Sequence, residues 1–211
     1  MTIDERRIIR YCERHSSQSS TLRTTVDRHT GVQTLAPQMM SGHIQGNLLS
    51  LLSRLKRPRR ILEIGTFTGY ATLCLAEGLP QDGMLHTIEG HPIYEHIFRP
   101  AFGQSPHAHQ IKIHIGQAED VIPTLEESWD IVFLDGAKKQ YLEHYHLIID
   151  HVAPGGIILA DNVLWSGDVI RPSKTKETRA IKAFNDFIKN DQRVQQTLLP
   201  LRDGLFIIEK I

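Results

Sequence analysis

The sequence predicts an α/β fold: a doubly wound, mostly parallel sheet that ends in an antiparallel hairpin. Three observations lead there. Short, continuous apolar runs rich in β-branched residues recur along the chain, as strands buried on both faces require. Segments with helical spacing of apolar residues separate them, which is the alternation of a parallel sheet. The last two apolar runs are joined by Arg202-Asp203-Gly204, a hairpin turn signal.

The first forty residues read as amphipathic helix interrupted by the polar stretch His15-Ser-Ser-Gln-Ser-Ser20, and form an N-terminal helical extension. Residues 42–55 are expected to be helical, with Ile44, Leu48, Leu51, Leu52 and Leu55 on one side. Strands are expected near 61–64, 84–89, 111–115, 130–135 and 156–160. Helices near 69–79, 92–102, 117–125 and 138–152 connect them. A polar loop, Arg171-Pro-Ser-Lys-Thr-Lys-Glu-Thr178, leads to a helix near 177–189, then to strands at 194–201 and 205–209. There is no internal repeat and no linker, and 211 residues suit one domain spanning 1–211.

Lys plus Arg (24) equals Asp plus Glu (24), so no global field recruits nucleic acid or membrane. Two local basic runs, Arg6/Arg7/Arg10/Arg14 and Arg54/Lys56/Arg57/Arg59/Arg60, read as solvated helix ends and loops. Cys12 and Cys74 form neither a disulfide framework nor a metal-ligand pattern. The 12 histidines are scattered, and the close pairs His107/His109 and His144/His146 lack a third ligand at a zinc-binding spacing. The N-terminus has no apolar signal-peptide core and no run reaches membrane-spanning length, so a cytoplasmic, reducing setting is the expectation.

Two apolar runs end in oxygen donors: Asp130-Ile-Val-Phe-Leu-Asp135 and Gly156-Ile-Ile-Leu-Ala-Asp161-Asn162. A buried strand ending in acid puts charge at the sheet rim, where ligands of α/β folds bind. Two carboxylates and an amide suit a hard divalent cation, Mg²⁺ first; capping of the following helices is the plainer role. The first strand runs into Glu63-Ile-Gly65-Thr-Phe-Thr-Gly69-Tyr-Ala71, a glycine turn that lacks the G-x-G-x-x-G spacing of dinucleotide binders. Glu89, ending the second strand, occupies the position that faces a ribose diol in this topology. Gly116-Gln-Ala-Glu119 opens a helix with small residues that leave room for a flat adenine.

These pieces together resemble the class I S-adenosylmethionine (SAM)-dependent methyltransferases, specifically the cation-dependent O-methyltransferases of the catechol and caffeoyl-CoA type and their small bacterial relatives. The resemblance covers about residues 36 to 211. It rests on Met39-Met-Ser-Gly-His-Ile-Gln-Gly46, Leu62-Glu-Ile-Gly-Thr-Phe-Thr-Gly-Tyr70, Glu89, Gly116-Gln-Ala118, Leu134-Asp-Gly-Ala-Lys-Lys-Gln-Tyr141, Leu159-Ala-Asp-Asn-Val-Leu-Trp165 and Asp203-Gly-Leu205. It implies a Rossmann-like methyltransferase sheet with SAM and Mg²⁺ (or Mn²⁺ or Ca²⁺) as cofactors. Asp135, Asp161 and Asn162 are then the metal ligands and Lys138 the general base. Ser41, Glu63, Gly65, Gly69, Ala71, Glu89 and Ala118 border the cofactor, as does Asp135. Ala137 stands where the catechol enzymes of animals carry a bulky aromatic, and neither Asp168 nor Glu177 matches their catechol-orienting acid.

The activity implied is methyl transfer from SAM to a hydroxyl of a vicinal-diol, catechol-like small molecule. The alternative acceptor is a 5-hydroxyuridine at the wobble position of tRNA, supported if residues 54–60 and Lys174, Lys176, Arg179 and Lys182 line one face around the pocket. A non-catalytic SAM-binding module is a third reading, opposed by the intact set of Asp135, Lys138, Asp161 and Asn162. A homodimer is expected, through Ile3, Ile8, Ile9, Tyr11 and Cys12 or through the apolar residues of 198–201 and 205–208.

Overall fold

The structure, a computed structural model, describes residues 5–172 and 175–211. Helices α1 (Glu5–Arg14) and α2 (Thr21–Gln33) form the N-terminal extension, with the side chain of Ser20 capping α2 by accepting from the amide of Arg23. Then follow α3 (Gly42–Lys56), β1 (Arg60–Ile64), α4 (Tyr70–Ala76), β2 (Met84–Glu89), α5 (Glu95–Gly103), β3 (Ile111–Ile115), α6 (Ala118–Val121), β4 (Trp129–Leu134), α7 (Tyr141–Ile148) and β5 (Val152–Asp161). The chain ends with α8 (Lys176–Asn190), β6 (Val194–Leu199) and β7 (Leu205–Lys210).

The seven strands lie in the order β3-β2-β1-β4-β5-β7-β6. The first five are parallel, and β7 pairs antiparallel with both β5 and β6. The order reverses between β1 and β4, the switch point where this architecture opens a crevice at the carboxyl ends of its strands. Both faces of the sheet are covered, which is why the strands read as unbroken apolar runs. Ile131 and Phe133 face the layer of α2 to α5, whereas Val132 and Leu134 face α7 and α8.

Three helical expectations shorten for a local reason. Residues 92–94 and 122–124 are single 3₁₀ turns with Pro at their start, and 138–140 is another before α7. Strand β5 starts earlier than expected, at Val152. The pairing jumps from Trp129↔Val152 to Ile131↔Ile157, a bulge that places Gly155 at φ +71. Its two glycines hid a strand that the apolar pattern alone showed only from 156 onward.

The N-terminal extension divides in two. Helix α2 buries Arg23, Val26 and Thr30, and the hydroxyl of Thr30 lies 2.8 Å from that of Thr68 in the glycine turn after β1. Helix α1 leaves Ile8, Ile9, Tyr11 and Cys12 exposed; Ile3 lies outside the described residues. At the other terminus Leu205, Phe206 and Ile208 are buried in the sheet, so that run is core and not an apolar surface. The basic run at 54–60 sits at the amino end of β1, at the opposite rim from the crevice. There Arg54 pairs with Glu77, Arg59 with Asp82 and Arg60 with Glu127. No described helix is long and apolar enough to cross a membrane.

His86 on β2 is 4% exposed, stacks on His114 and meets the edge of Trp129. Burial, with His114 and Lys112 adding repulsion, pushes its imidazole down to about 4. The unfolded chain therefore takes up a proton near pH 6.5 that the folded chain refuses until about pH 4, so this contribution to stability is whole above pH 6.5 and falls between those values. Urea unfolding at pH 7.5 and pH 5 is expected to show His86→Phe losing about 2 kcal/mol less than the parent over that interval. Equal losses in the two proteins would refute the assignment.

Candidate active site

Four strand ends, those of β1 to β4, are held together by three backbone hydrogen bonds that continue the sheet. Gly65 donates to Ile88 O (2.9 Å), Asp135 to Ile64 O (2.9 Å) and Gly116 to Glu89 O (3.0 Å). Gly65 has φ +102, and a Cβ there would stand 2.5 Å from the carbonyl oxygen of Asp135, so only glycine fits between β1 and β4. Beyond these ends opens a cavity of about 650 Å³. Of the residues expected at the site, Gly65, Glu89, Ala118, Asp135, Lys138 and Asn162 line it.

Glu89 is shaped from both sides: the amide of Phe67 donates to Oε2 (2.7 Å) and that of His91 to Oε1 (2.8 Å). Phe67 reaches this position with φ +51, and its ring meets Tyr94 edge-on at 5.0 Å. Each carboxylate oxygen keeps a lone pair for a further donor such as a ribose hydroxyl.

At the other end of the cavity Lys138 Nζ donates to Asp135 Oδ1 (2.7 Å) and to the hydroxyl of Tyr141 (2.5 Å). Tyr141 Oη lies 3.0 Å from Leu134 O and 2.9 Å from Asp161 O, so one buried phenol braces both acid-bearing strand ends and the lysine between them. Leu134 pairs with Ala160, which makes Asp135 and Asp161 successive rim positions on adjacent strands. Asp161 is 2% exposed; its Oδ2 accepts from Gln45 Nε2 (2.7 Å) and its Oδ1 from the amide of Asn162 (2.8 Å). Burial pushes the Asp135 carboxyl up to about 6; Lys138 pulls it down and Asp161 pushes it further up. Asn162 turns into the left-handed region at φ +59 and lines the cavity.

The donor set fits a hard cation in its chemistry: two carboxylates that repel one another at a rim, an adjacent amide, and a lysine ammonium already lying against one acid. Among the described residues no three His, Cys, Asp or Glu side chains are grouped to hold a metal. The expected set has only two acids.

The remaining expected residues do not line the cavity. Gly69 opens α4 at φ +85, and a Cβ there would meet the ring of Phe102 and the Cβ of Phe98, so its role is turn and packing. Ser41 and Ala71 are buried beside the crevice. Glu63 is fully buried, bonded to Thr72, with Oε1 lacking a partner among the described residues; burial pushes its carboxyl up to about 8, so it is neutral at pH 7. Asp161 is buried, with its oxygens held by Gln45 and by the amide of Asn162, and does not line the cavity.

Several wall residues escaped the sequence reading. Phe67 and Met39 stood inside quoted motifs without being named as site residues, and Tyr94, in a 3₁₀ turn, lay outside every motif. Arg202 holds the Met39 segment in place by donating to Met40 O (2.5 Å) and Gln38 O (3.0 Å), across a separation no local pattern reveals. Glu177 lines the cavity and pairs with Lys139 (2.7 Å), whereas Asp168 pairs with Arg171 outside it. Ala137 and Trp165 also line the cavity.

The O-methyltransferase family model matches residues 13–211, further toward the N-terminus than the motifs alone reached. Caffeoyl-CoA O-methyltransferase 2 of Petunia hybrida is 31% identical over 180 residues, covering 79% of this chain and 74% of that protein. Catechol O-methyltransferase domain-containing protein 1 of Mus musculus is 33% identical over 176 residues, covering 79% and 66% respectively. Among solved structures, the O-methyltransferase TomG from Streptomyces achromogenes, in complex with SAM, superposes with a TM-score of 0.90 at 28% identity, covering 100% of this chain and 99% of that one. An O-methyltransferase from Bacillus cereus in complex with SAH gives 0.88 at 26% identity, covering 96% of each chain. With a parallel sheet, a crevice at its switch point and relatives of this kind along nearly its whole length, the chain is an enzyme of the O-methyltransferase family.

Proposed function

We propose that the chain transfers a methyl group from SAM to one hydroxyl of a vicinal-diol, catechol-like small molecule, with a divalent cation held by Asp135, Asp161 and Asn162. The observation that carries this reading is the position of Lys138. Its amine lies 2.7 Å from a proposed metal ligand and on the same cavity wall. Glu89 stands at the far end, where it suits the ribose of SAM.

When bound, the cation supplies charge that lowers the pKa of a hydroxyl it chelates, and SAM supplies an electrophilic methyl on its sulfonium. Everything else falls to the chain. Lys138 Nζ, once it has released its own extra proton to solvent, takes the proton from the acceptor hydroxyl; Tyr141 and Asp135 fix the amine's position for this. Glu89, shaped by two backbone amides, anchors the donor end. Holding both reactants between these ends in one cavity supplies the contact geometry that dominates the acceleration of such a transfer. The cavity of about 650 Å³, with Ala137 and Trp165 in its wall, has the volume for an aromatic acceptor.

The basic residues 54–60 lie at the opposite rim, where Arg54, Arg59 and Arg60 are engaged in ion pairs, which supports a small acceptor over tRNA. Of the second basic group, Lys174 lies outside the described residues. Incubating the purified protein with SAM, Mg²⁺ and a panel of catechols, matching monophenols and unmodified tRNA separates these readings. Methylation of catechols but not monophenols is expected. Methyl transfer to tRNA alone would overturn the small-molecule acceptor.

A further inference from the structure

Helix α2 lies outside every motif that pointed to methyl transfer, yet it grips the glycine turn at the edge of the cavity. That turn, residues 65–69 between β1 and α4, is costly to hold. Gly65, Phe67 and Gly69 all take positive φ, at +102, +51 and +85. A bulky residue such as Phe67 stays there only where its surroundings over-determine it. Gly65 and Phe67 line the cavity, and the amide of Phe67 holds one oxygen of Glu89. A shift of this turn therefore alters both the wall and the acid suited to the ribose.

The turn is fastened on two sides. Toward the sheet, the hydroxyl of Thr66 bonds that of Thr87 on β2 (2.5 Å) and the amide of Phe67 bonds Glu89. Thr68 reaches the other way, to Thr30 of α2 (2.8 Å). Counting hydrogens gives the direction of that bond. The hydroxyl of Thr30 also lies 2.8 Å from Val26 O, which can only accept, so its hydrogen goes there and Thr68 donates to Thr30 Oγ1. Both threonines are 0% exposed, so bulk water cannot replace the acceptor. Helix α2 is itself a fixed post. Its buried Arg23 donates to Glu77 just after α4 (3.1 Å), to Ser19 (3.1 Å) and to Asn47 on α3, and lies over the ring of Tyr70, the first residue of α4.

We infer that Thr30 is a positioning residue for the methyl donor: by accepting from Thr68 it holds the glycine turn in its binding form, which makes α2 part of the donor-binding machinery. This rests on SAM as the donor. Without the Thr30 hydroxyl, Thr68 becomes a buried donor with no partner, and the turn gains by relaxing toward solvent. Restoring it then draws on the ligand's binding energy, and the apparent affinity falls by the fraction of chains that keep the binding form.

The test is calorimetric titration with S-adenosylhomocysteine, with thermal unfolding measured on the same preparations. Thr30→Val, which keeps the shape and removes the hydroxyl, is expected to bind roughly 5- to 20-fold more weakly than the parent. Thr30→Ser, which keeps the hydroxyl, is expected to stay within about twofold of the parent. Thr68→Val removes the donor of the same bond and is expected to weaken binding as well. The double variant should bind no more weakly than Thr30→Val alone, because no hydroxyl is then orphaned. A merely structural role would lower thermal stability and leave the affinity of the folded protein intact. Binding by Thr30→Val within about twofold of the parent, or single losses that multiply in the double variant, would overturn the inference. Should Thr30→Val not fold, Thr68→Val decides by the same twofold limit. Failure of the parent to bind S-adenosylhomocysteine would overturn the donor assignment, and this inference with it.

Discussion

Replacing Asp135 with alanine is expected to cut methyl transfer by on the order of 10³-fold while leaving the affinity for S-adenosylhomocysteine within a few-fold of the parent. The first number follows from losing a charged oxygen donor at a site where a cation's polarising effect is worth several kcal/mol. The second follows from geometry. Glu89, which would hold the ribose, takes its hydrogen bonds from Phe67 and His91 and none from the β4 end. Folding should survive, because the carboxyl is itself under strain from burial, which pushes it up to about 6. Steady-state turnover, calorimetry and thermal unfolding on one preparation separate the three. Loss of cofactor affinity in proportion to turnover would mean that Asp135 serves the cofactor and not a cation.

Lys138→Met is expected to lower turnover by about 10²- to 10⁴-fold near neutral pH, the range that removal of a positioned proton acceptor usually costs. Methionine keeps the unbranched apolar stem and removes only the amine that bridges Asp135 and Tyr141. The loss should fall on kcat with little change in KM for the acceptor, since the amine works on a proton and not on the ring. It should also narrow as pH rises, because bulk base then ionises the acceptor without help. A variant within threefold of the parent at pH 7 would remove Lys138 from the mechanism and leave the acid pair untouched.

The sheet was legible because its physics is local. Runs such as Ile131 to Leu134 are apolar throughout since both faces are covered, and that continuity is visible in the sequence. The acids at the ends of β4 and β5 were legible for the same reason: a charge that closes such a run can lie only at the rim. What sequence could not show is what holds these groups. The Gln45–Asp161 bond joins α3 to β5, and the Tyr141 hydroxyl joins two strand ends; both depend on tertiary placement. Phe67 at positive φ was hidden because a bulky residue gives no sign of a left-handed turn. Thr68 stood inside a recognised motif, but its partner Thr30 lay outside every motif and became informative only once α2 folded against the turn after β1. The 3₁₀ turns at Pro92 and Pro123 broke helices that apolar spacing alone had run together.

The central claim is that Asp135, Asp161 and Asn162 hold a divalent cation on which transfer to a diol depends. It is tested most directly by measuring methylation of a catechol acceptor by the purified protein with SAM in excess EDTA, then after adding Mg²⁺ beyond the chelator. Turnover is expected to fall to background in EDTA and to return with Mg²⁺, while S-adenosylhomocysteine binding persists throughout. Full turnover in EDTA would contradict the account.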